Sequence, residues 1–160
     1  LQGMRLARKL GMISYRSASE WKSRFGRERA ANVPSVHDPF GIEFEVESYL
    51  AATANKFTGG FDANCYLYLS RAMDLFDSAE HGGSLPSAIA ELQVGKALVL
   101  GAQTDILFPL EQQEQLASLL RDAGKEVVFH PLPSIQGHDS FLVDYDRFRP
   151  AIKGYFNRIE

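Results

Sequence analysis

The sequence predicts an α/β fold, here the edge of a parallel, doubly wound sheet preceded by a helical region. Three observations carry that reading. Lys96-Ala97-Leu98-Val99-Leu100-Gly101 and Val127-Val128-Phe129 are short, continuous apolar runs, the pattern of strands buried on both faces. Between them Leu110 to Ala123 is amphipathic, rich in Gln, Glu and Leu, and is followed by Gly124, a helix stop. A last amphipathic stretch, Phe141 to Ile159, completes a strand–helix–strand–helix order, with an interruption or restart expected near Pro150. Two strands cannot close such a sheet. Its other strands are therefore expected from outside these 160 residues.

The residues before about position 95 read as helical. Leu6, Leu10 and Ile13 recur at three- and four-residue spacing, as in an amphipathic helix. A Pro-, Asn- and Asp-bearing loop is expected around Asn32 to Phe40, followed by helices over Glu45 to Thr53 and Ala63 to Phe76. The second of these is dense in aromatics (Tyr66, Tyr68, Phe76), and His81-Gly82-Gly83-Ser84 ends the series as a turn. The expected organisation is residues 1–15 as the end of a helix leading out of the core, 16–95 as a helical lid and 96–160 as the C-terminal part of the core.

Composition narrows the function. The chain carries 45% apolar residues and a formal net charge of −3, with its basic residues dispersed, so neither nucleic acid nor an acidic membrane is indicated as a partner. One cysteine, Cys65, cannot form an internal disulfide and fits a reducing, cytoplasmic setting. The apolar runs fall short of the roughly 18 residues of a membrane span, and LQGMRLARKLGM has no signal-peptide core. It opens inside an amphipathic pattern without an initiator methionine, which reads as a cut.

In open α/β sheets reactive groups lie beyond the carboxyl ends of the strands. Asp105, in GAQTDILFP, follows the first strand, and His138, in PSIQGHDSF, follows the second. They are 33 residues apart, room for one helix and one strand, which puts them on neighbouring loops at one rim. A carboxylate there can fix the tautomer of an imidazole, whose other nitrogen can then take a proton from a hydroxyl nucleophile. Taken singly, an aspartate after a strand is usually a cap and a loop histidine is usually structural. Joint placement, and Gly137 beside His138, favour the pair. The order Ser, Asp, His is that of the α/β-hydrolase fold, but no serine here has a nucleophile's surroundings. Ser84, in GGSLP, follows the polar stretch DSAEH and precedes Pro86, so it reads as a turn residue; Cys65 reads as a small core residue. The nucleophile is expected outside the chain.

The strings FEVESYL, KFTGGFDANCYLYLSRAMDLFD, TDILFPLEQQ and QGHDSFLVD resemble the C-terminal half of homoserine O-acetyltransferases. That family consists of α/β-hydrolase-fold acyltransferases and includes relatives that acylate L-serine. The resemblance covers nearly the whole chain. It implies that Asp105 of DILFP and His138 of GHD complete a triad whose serine, with its strand and oxyanion-hole loop, has no counterpart here. It further implies a ping-pong route in which acetyl-CoA acylates the serine and the hydroxyl of L-homoserine, or of L-serine, takes the acyl group. Acetyl-CoA is thus a donor substrate, with no bound cofactor and no metal; the alternatives are succinyl donors, esterase activity, and a fragment that is not catalytic by itself and only pairs with its missing half as an assembly or regulatory module. The partners implied are the N-terminal half of the same enzyme and a second copy in a homodimer. For the amino acid, the family pattern points to Arg8, Tyr15 and Asp139. Seven residues are close to two helical turns, so Arg8 and Tyr15 would share a face about 10 Å apart. A guanidinium fork suits a carboxylate and Asp139 an α-ammonium. The simpler readings are an exposed helix charge for Arg8, a core-edge ring for Tyr15 and a helix N-cap for Asp139.

Overall fold

The computed structural model describes residues 1–31 and 38–159. Two compact units form, Leu1–Asp74 and the chain from Leu75 onward. Most of the loop expected around Asn32 to Phe40 lies outside the described residues.

The first unit is helical: α1 Gln2–Ser14, α2 Ala18–Arg24, α3 Glu45–Gly60 and α4 Ala63–Leu75. Helix α1 packs on α3, and the residues it buries are Met4 and Met12. Leu6, Leu10 and Ile13, whose spacing marks the helix, lie on its exposed side. Ser17 starts α2 by accepting the Glu20 N–H at 3.1 Å, satisfying a helix-end donor that has no partner within the helix. At the start of α3, Oε2 of Glu47 reaches back to accept the N–H groups of Glu43 and Phe44, at 2.8 and 2.9 Å. Those two bonds hold the Glu47 carboxyl below its ordinary pKa. Trp21, Phe25 and Tyr49 pack as an aromatic cluster joining α2 to α3. Cys65 departs from expectation. It is exposed, because α4 buries none of its residues.

In the second unit, a 3₁₀ turn at Ser78–His81 leads into α5 Leu85–Glu91, then β1 Lys96–Ala102, α6 Leu110–Asp122, β2 Glu126–Leu132, the single-turn α7 Ser140–Val143 and α8 Tyr145–Ile159. Strands β1 and β2 pair in parallel from Lys96↔Glu126 to Ala102↔Leu132, with α6 as the crossover. Side chains alternate across the strands. Ala97, Val99, Val127 and Phe129 face the core formed by Ile89 of α5 with Ala117, Leu119 and Leu120 of α6. Burying a side chain such as Leu120 or Val99 contributes about 1.5–3 kcal/mol. The opposite face of the sheet is met by α8, which packs against β2 and buries Phe148. The helix stop at Gly124 is realised at φ +77: the Gly124 N–H donates to the Arg121 carbonyl and the Lys125 N–H to the Leu120 carbonyl, a Schellman closure.

One expectation is corrected. The break in the last helical stretch falls at Asp144 (φ −99, ψ 61), not at Pro150. Asp144 turns out of the helix because its carboxylate is held by Ser134 and Arg147, whereas α8 runs through Pro150 without ending. Within these residues Lys96 of β1 is exposed and Leu98 and Leu100 are half-buried.

Candidate active site

The ends of β1 and β2 place Asp105 and His138 side by side. Strand β1 ends at Ala102, and the loop to α6 carries Gln103, Thr104 and Asp105. Strand β2 ends at Leu132, and the loop to α7 carries Ser134 and the 3₁₀ turn Gly137–Asp139. Nδ1 of His138 lies 2.9 Å from Oδ2 of Asp105. Their side chains are only 20% and 10% exposed, so the bond is shielded from bulk water. The second carboxylate oxygen of Asp105, Oδ1, accepts the N–H groups of Leu107 and Phe108, at 2.9 and 3.0 Å. With two backbone N–H groups donating to Oδ1, Oδ2 is left to accept from His138, an arrangement that favours a proton on Nδ1 of the imidazole.

Gly137 explains how the imidazole reaches that position. Its φ of +71 is a left-handed conformation that a residue with a Cβ adopts only at a cost. The ring of His138 is flanked by Phe108 at 4.9 Å and Phe141 at 6.0 Å between centroids, both edge-on. A cleft of about 430 Å³ opens beside it, its walls including Leu100, Ala102, Asp105, Phe108, His138 and Phe141. A mainly apolar wall with a few convergent polar groups is the usual make-up of a small-molecule site.

The other residues singled out from sequence fall as follows. Arg8 and Tyr15 meet in the helical unit: the Arg8 guanidinium carbon lies 5.9 Å from the Tyr15 ring centroid and 4.7 Å from that of Phe57. Nε of Arg8 is buried and has no hydrogen-bond partner. Asp139 follows His138 directly, at the N-cap position of α7, but its side chain makes no capping hydrogen bond. Ser84 caps α5 by accepting the Ser87 N–H at 3.3 Å, and the element before it is the 3₁₀ turn Ser78–His81, not a strand. The groups that hold the two loops together, Thr104, Ser134 and Asp144, carry no signal in sequence because each depends on a partner distant along the chain. Among the described residues, no group of three His, Cys, Asp or Glu side chains could hold a metal ion, and no helix is long and apolar enough to cross a membrane.

A parallel sheet edge with helices on both faces and an aspartate–histidine pair at its carboxyl rim is the C-terminal part of an α/β-hydrolase fold. Solved structures agree. A homoserine O-acetyltransferase from Bacillus anthracis matches 94% of this chain and 40% of its own, with a TM-score of 0.78 and 20% identity. Esterase E22 matches 94% and 40%, with a TM-score of 0.74 and 23% identity. In sequence, the chain is 55% identical over 158 residues to a serine O-succinyltransferase of Stenotrophomonas maltophilia, covering 98% of this chain and 43% of that protein. No family model matches. The chain thus spans about two fifths of the curated relatives it matches, and it resembles the C-terminal part of this group of acyltransferases along nearly its whole length.

Proposed function

We propose that the chain supplies the aspartate and histidine of a Ser-His-Asp triad in an O-acyltransferase that moves an acyl group from coenzyme A to the side-chain hydroxyl of a small amino acid. The observation that carries this reading is the shielded Asp105–His138 bond at the sheet rim, in a chain so similar to a serine O-succinyltransferase. With Nδ1 engaged by Asp105, Nε2 of His138 is the nitrogen for proton transfer. It takes the proton of a serine hydroxyl supplied from outside these residues as that oxygen attacks the thioester, and gives it to the departing thiolate. In the second half it takes the proton of the acceptor hydroxyl as that oxygen attacks the acyl-serine, and returns it to the serine as the ester product leaves. Within the helical unit Arg8, over the Phe57 ring and near Tyr15, offers a guanidinium suited to a carboxylate; within the other unit Asp139 offers a carboxylate suited to an ammonium group.

The names of the sequence relatives favour L-serine as acceptor and succinyl as the group transferred; succinyl-CoA is then the donor we propose, with the product serving cysteine formation. The structural likeness to a homoserine O-acetyltransferase keeps L-homoserine with acetyl-CoA, in methionine formation, as the second reading. The acceptors differ by one methylene, a difference worth only about 1–3 kcal/mol in a pocket. The fold match to an esterase supports water as a third acceptor. The test is a matrix of acetyl- and succinyl-CoA against L-serine, L-homoserine and water, assayed with the enzyme that joins this chain to its nucleophile. CoA release that depends on an added amino acid supports acyl transfer. CoA release at the same rate without one points to hydrolysis.

A further inference from the structure

The loop presenting His138 is clamped by hydrogen bonds other than the one between Asp105 and the imidazole. Oγ1 of Thr104 donates to the Ser134 carbonyl at 2.7 Å and accepts the Gly137 N–H at 3.1 Å. One hydroxyl therefore joins the β1–α6 loop to two points of the β2–α7 loop. On the far side of Gly137, its carbonyl accepts the hydroxyl of Ser140, itself buried. Ser134 is fully buried; its Oγ donates to Oδ2 of Asp144 at 2.6 Å and accepts the Gln136 N–H at 3.3 Å. Asp144 is buried in turn, and both its oxygens accept from Nη1 of Arg147, at 3.1 and 2.9 Å. Proton bookkeeping fixes the directions. A serine has a single hydroxyl proton, so an ionised acceptor at Asp144 commits it and leaves Ser134 Oγ to accept from Gln136. The bond to Ser134 and the pairing with Arg147 hold the Asp144 carboxyl below its ordinary pKa.

We propose that Thr104 and Asp144 are positioning residues for the acid–base pair. Thr104 sets the gap between the two loops, and Asp144, through Ser134, sets the path of the loop that carries His138. This rests on the reading of Asp105 and His138 as that pair. The geometry gives the reason for a hydroxyl-bearing residue before Asp105. Serine preserves both hydrogen bonds, whereas the near-isosteric valine leaves the buried Ser134 carbonyl and the Gly137 N–H unpaired.

The test uses NMR on the enzyme that joins this chain to its nucleophile, isotope-labelled and with no substrate. In Thr104→Val, Gly137 amide exchange quickens by about tenfold or more, as loss of one buried hydrogen bond implies. The downfield His138 Nδ1–H signal, which reports the bond to Asp105, broadens or disappears. Thr104→Ser restores both, while amides in β1 keep their protection in every variant. Asp144→Asn quickens exchange at Gln136 and Gly137 and weakens the same imidazole signal, an independent check should the valine variant fold poorly. An unchanged Gly137 exchange rate and His138 signal in Thr104→Val would overturn the role of Thr104, and the same result in Asp144→Asn that of Asp144. These signals do not depend on acyl transfer, so a failure here is distinct from a fully active His138→Ala enzyme, which would defeat the proposed function.

Discussion

Asp105 divides its oxygens between two tasks: Oδ2 meets Nδ1 of His138, and Oδ1 accepts the amides of Leu107 and Phe108. The carboxylate is thereby fixed by its own loop before it orients the imidazole. Asp105→Asn can keep the loop bonds through its amide oxygen, but then turns an NH₂ donor toward His138 Nδ1 and favours the opposite tautomer. In the enzyme, kcat is expected to fall by about three to four orders of magnitude with folding preserved, as tautomer loss does in triads. Steady-state kinetics beside a thermal melt checks this; a loss under about tenfold would count against the orientation role.

Gly137 sits at φ +71 and is buried, so Gly137→Ala places a Cβ in a disfavoured backbone region. A destabilisation of about 1–2 kcal/mol is expected, read as a shift of the urea midpoint. The same substitution at exposed Gly3, where a Cβ meets nothing within 4 Å, serves as the control.

Acid stability should depend on Asp144. Its native carboxyl titrates below the ordinary value of 3.8, chiefly because of the Ser134 hydroxyl, with Arg147 adding to the effect. The unfolded chain therefore takes up a proton first as pH falls. The stabilisation is complete above the ordinary value and is lost as pH drops through the lower native one. Denaturant titrations from about pH 6 downward should show a steeper loss below about pH 4 for the native sequence than for Asp144→Asn. Parallel curves would place the acid dependence elsewhere.

Arg8 lies over Phe57 and beside Tyr15, with its Nε buried and without a partner. Arg8→Lys keeps the charge but loses the planar fork and the stacking. The amino-acid KM is expected to rise by about tenfold or more, with the acyl-CoA half-reaction unchanged. Equal losses in both halves would give Arg8 a different role.

Local patterns made much of this fold legible. Continuous apolar runs marked β1 and β2, the Gln- and Leu-rich periodicity marked α6, and Gly124 its end, since each is decided by neighbours in the chain. Asp105 and His138 were legible for a related reason: in a parallel sheet, loops that follow successive strands emerge at one rim. What stayed hidden depends on partners distant in sequence. Asp144 breaks the last helix because Ser134 draws in its carboxylate, while Pro150, the stronger local signal, is accommodated. Thr104 looks like any loop threonine until Ser134 and Gly137 are brought to it. Leu6, Leu10 and Ile13 revealed a helix but not the side it buries, because that choice belongs to α3.

The most direct test of the central claim is the intact mass of the enzyme, quenched after mixing with acetyl- or succinyl-CoA, in native form and as His138→Ala. The native enzyme should gain one acyl group rapidly and lose it when the amino-acid acceptor is added. The His138→Ala enzyme should remain at the unmodified mass over the same interval. Equally rapid acylation of the alanine variant would contradict His138 as the base that activates the nucleophile.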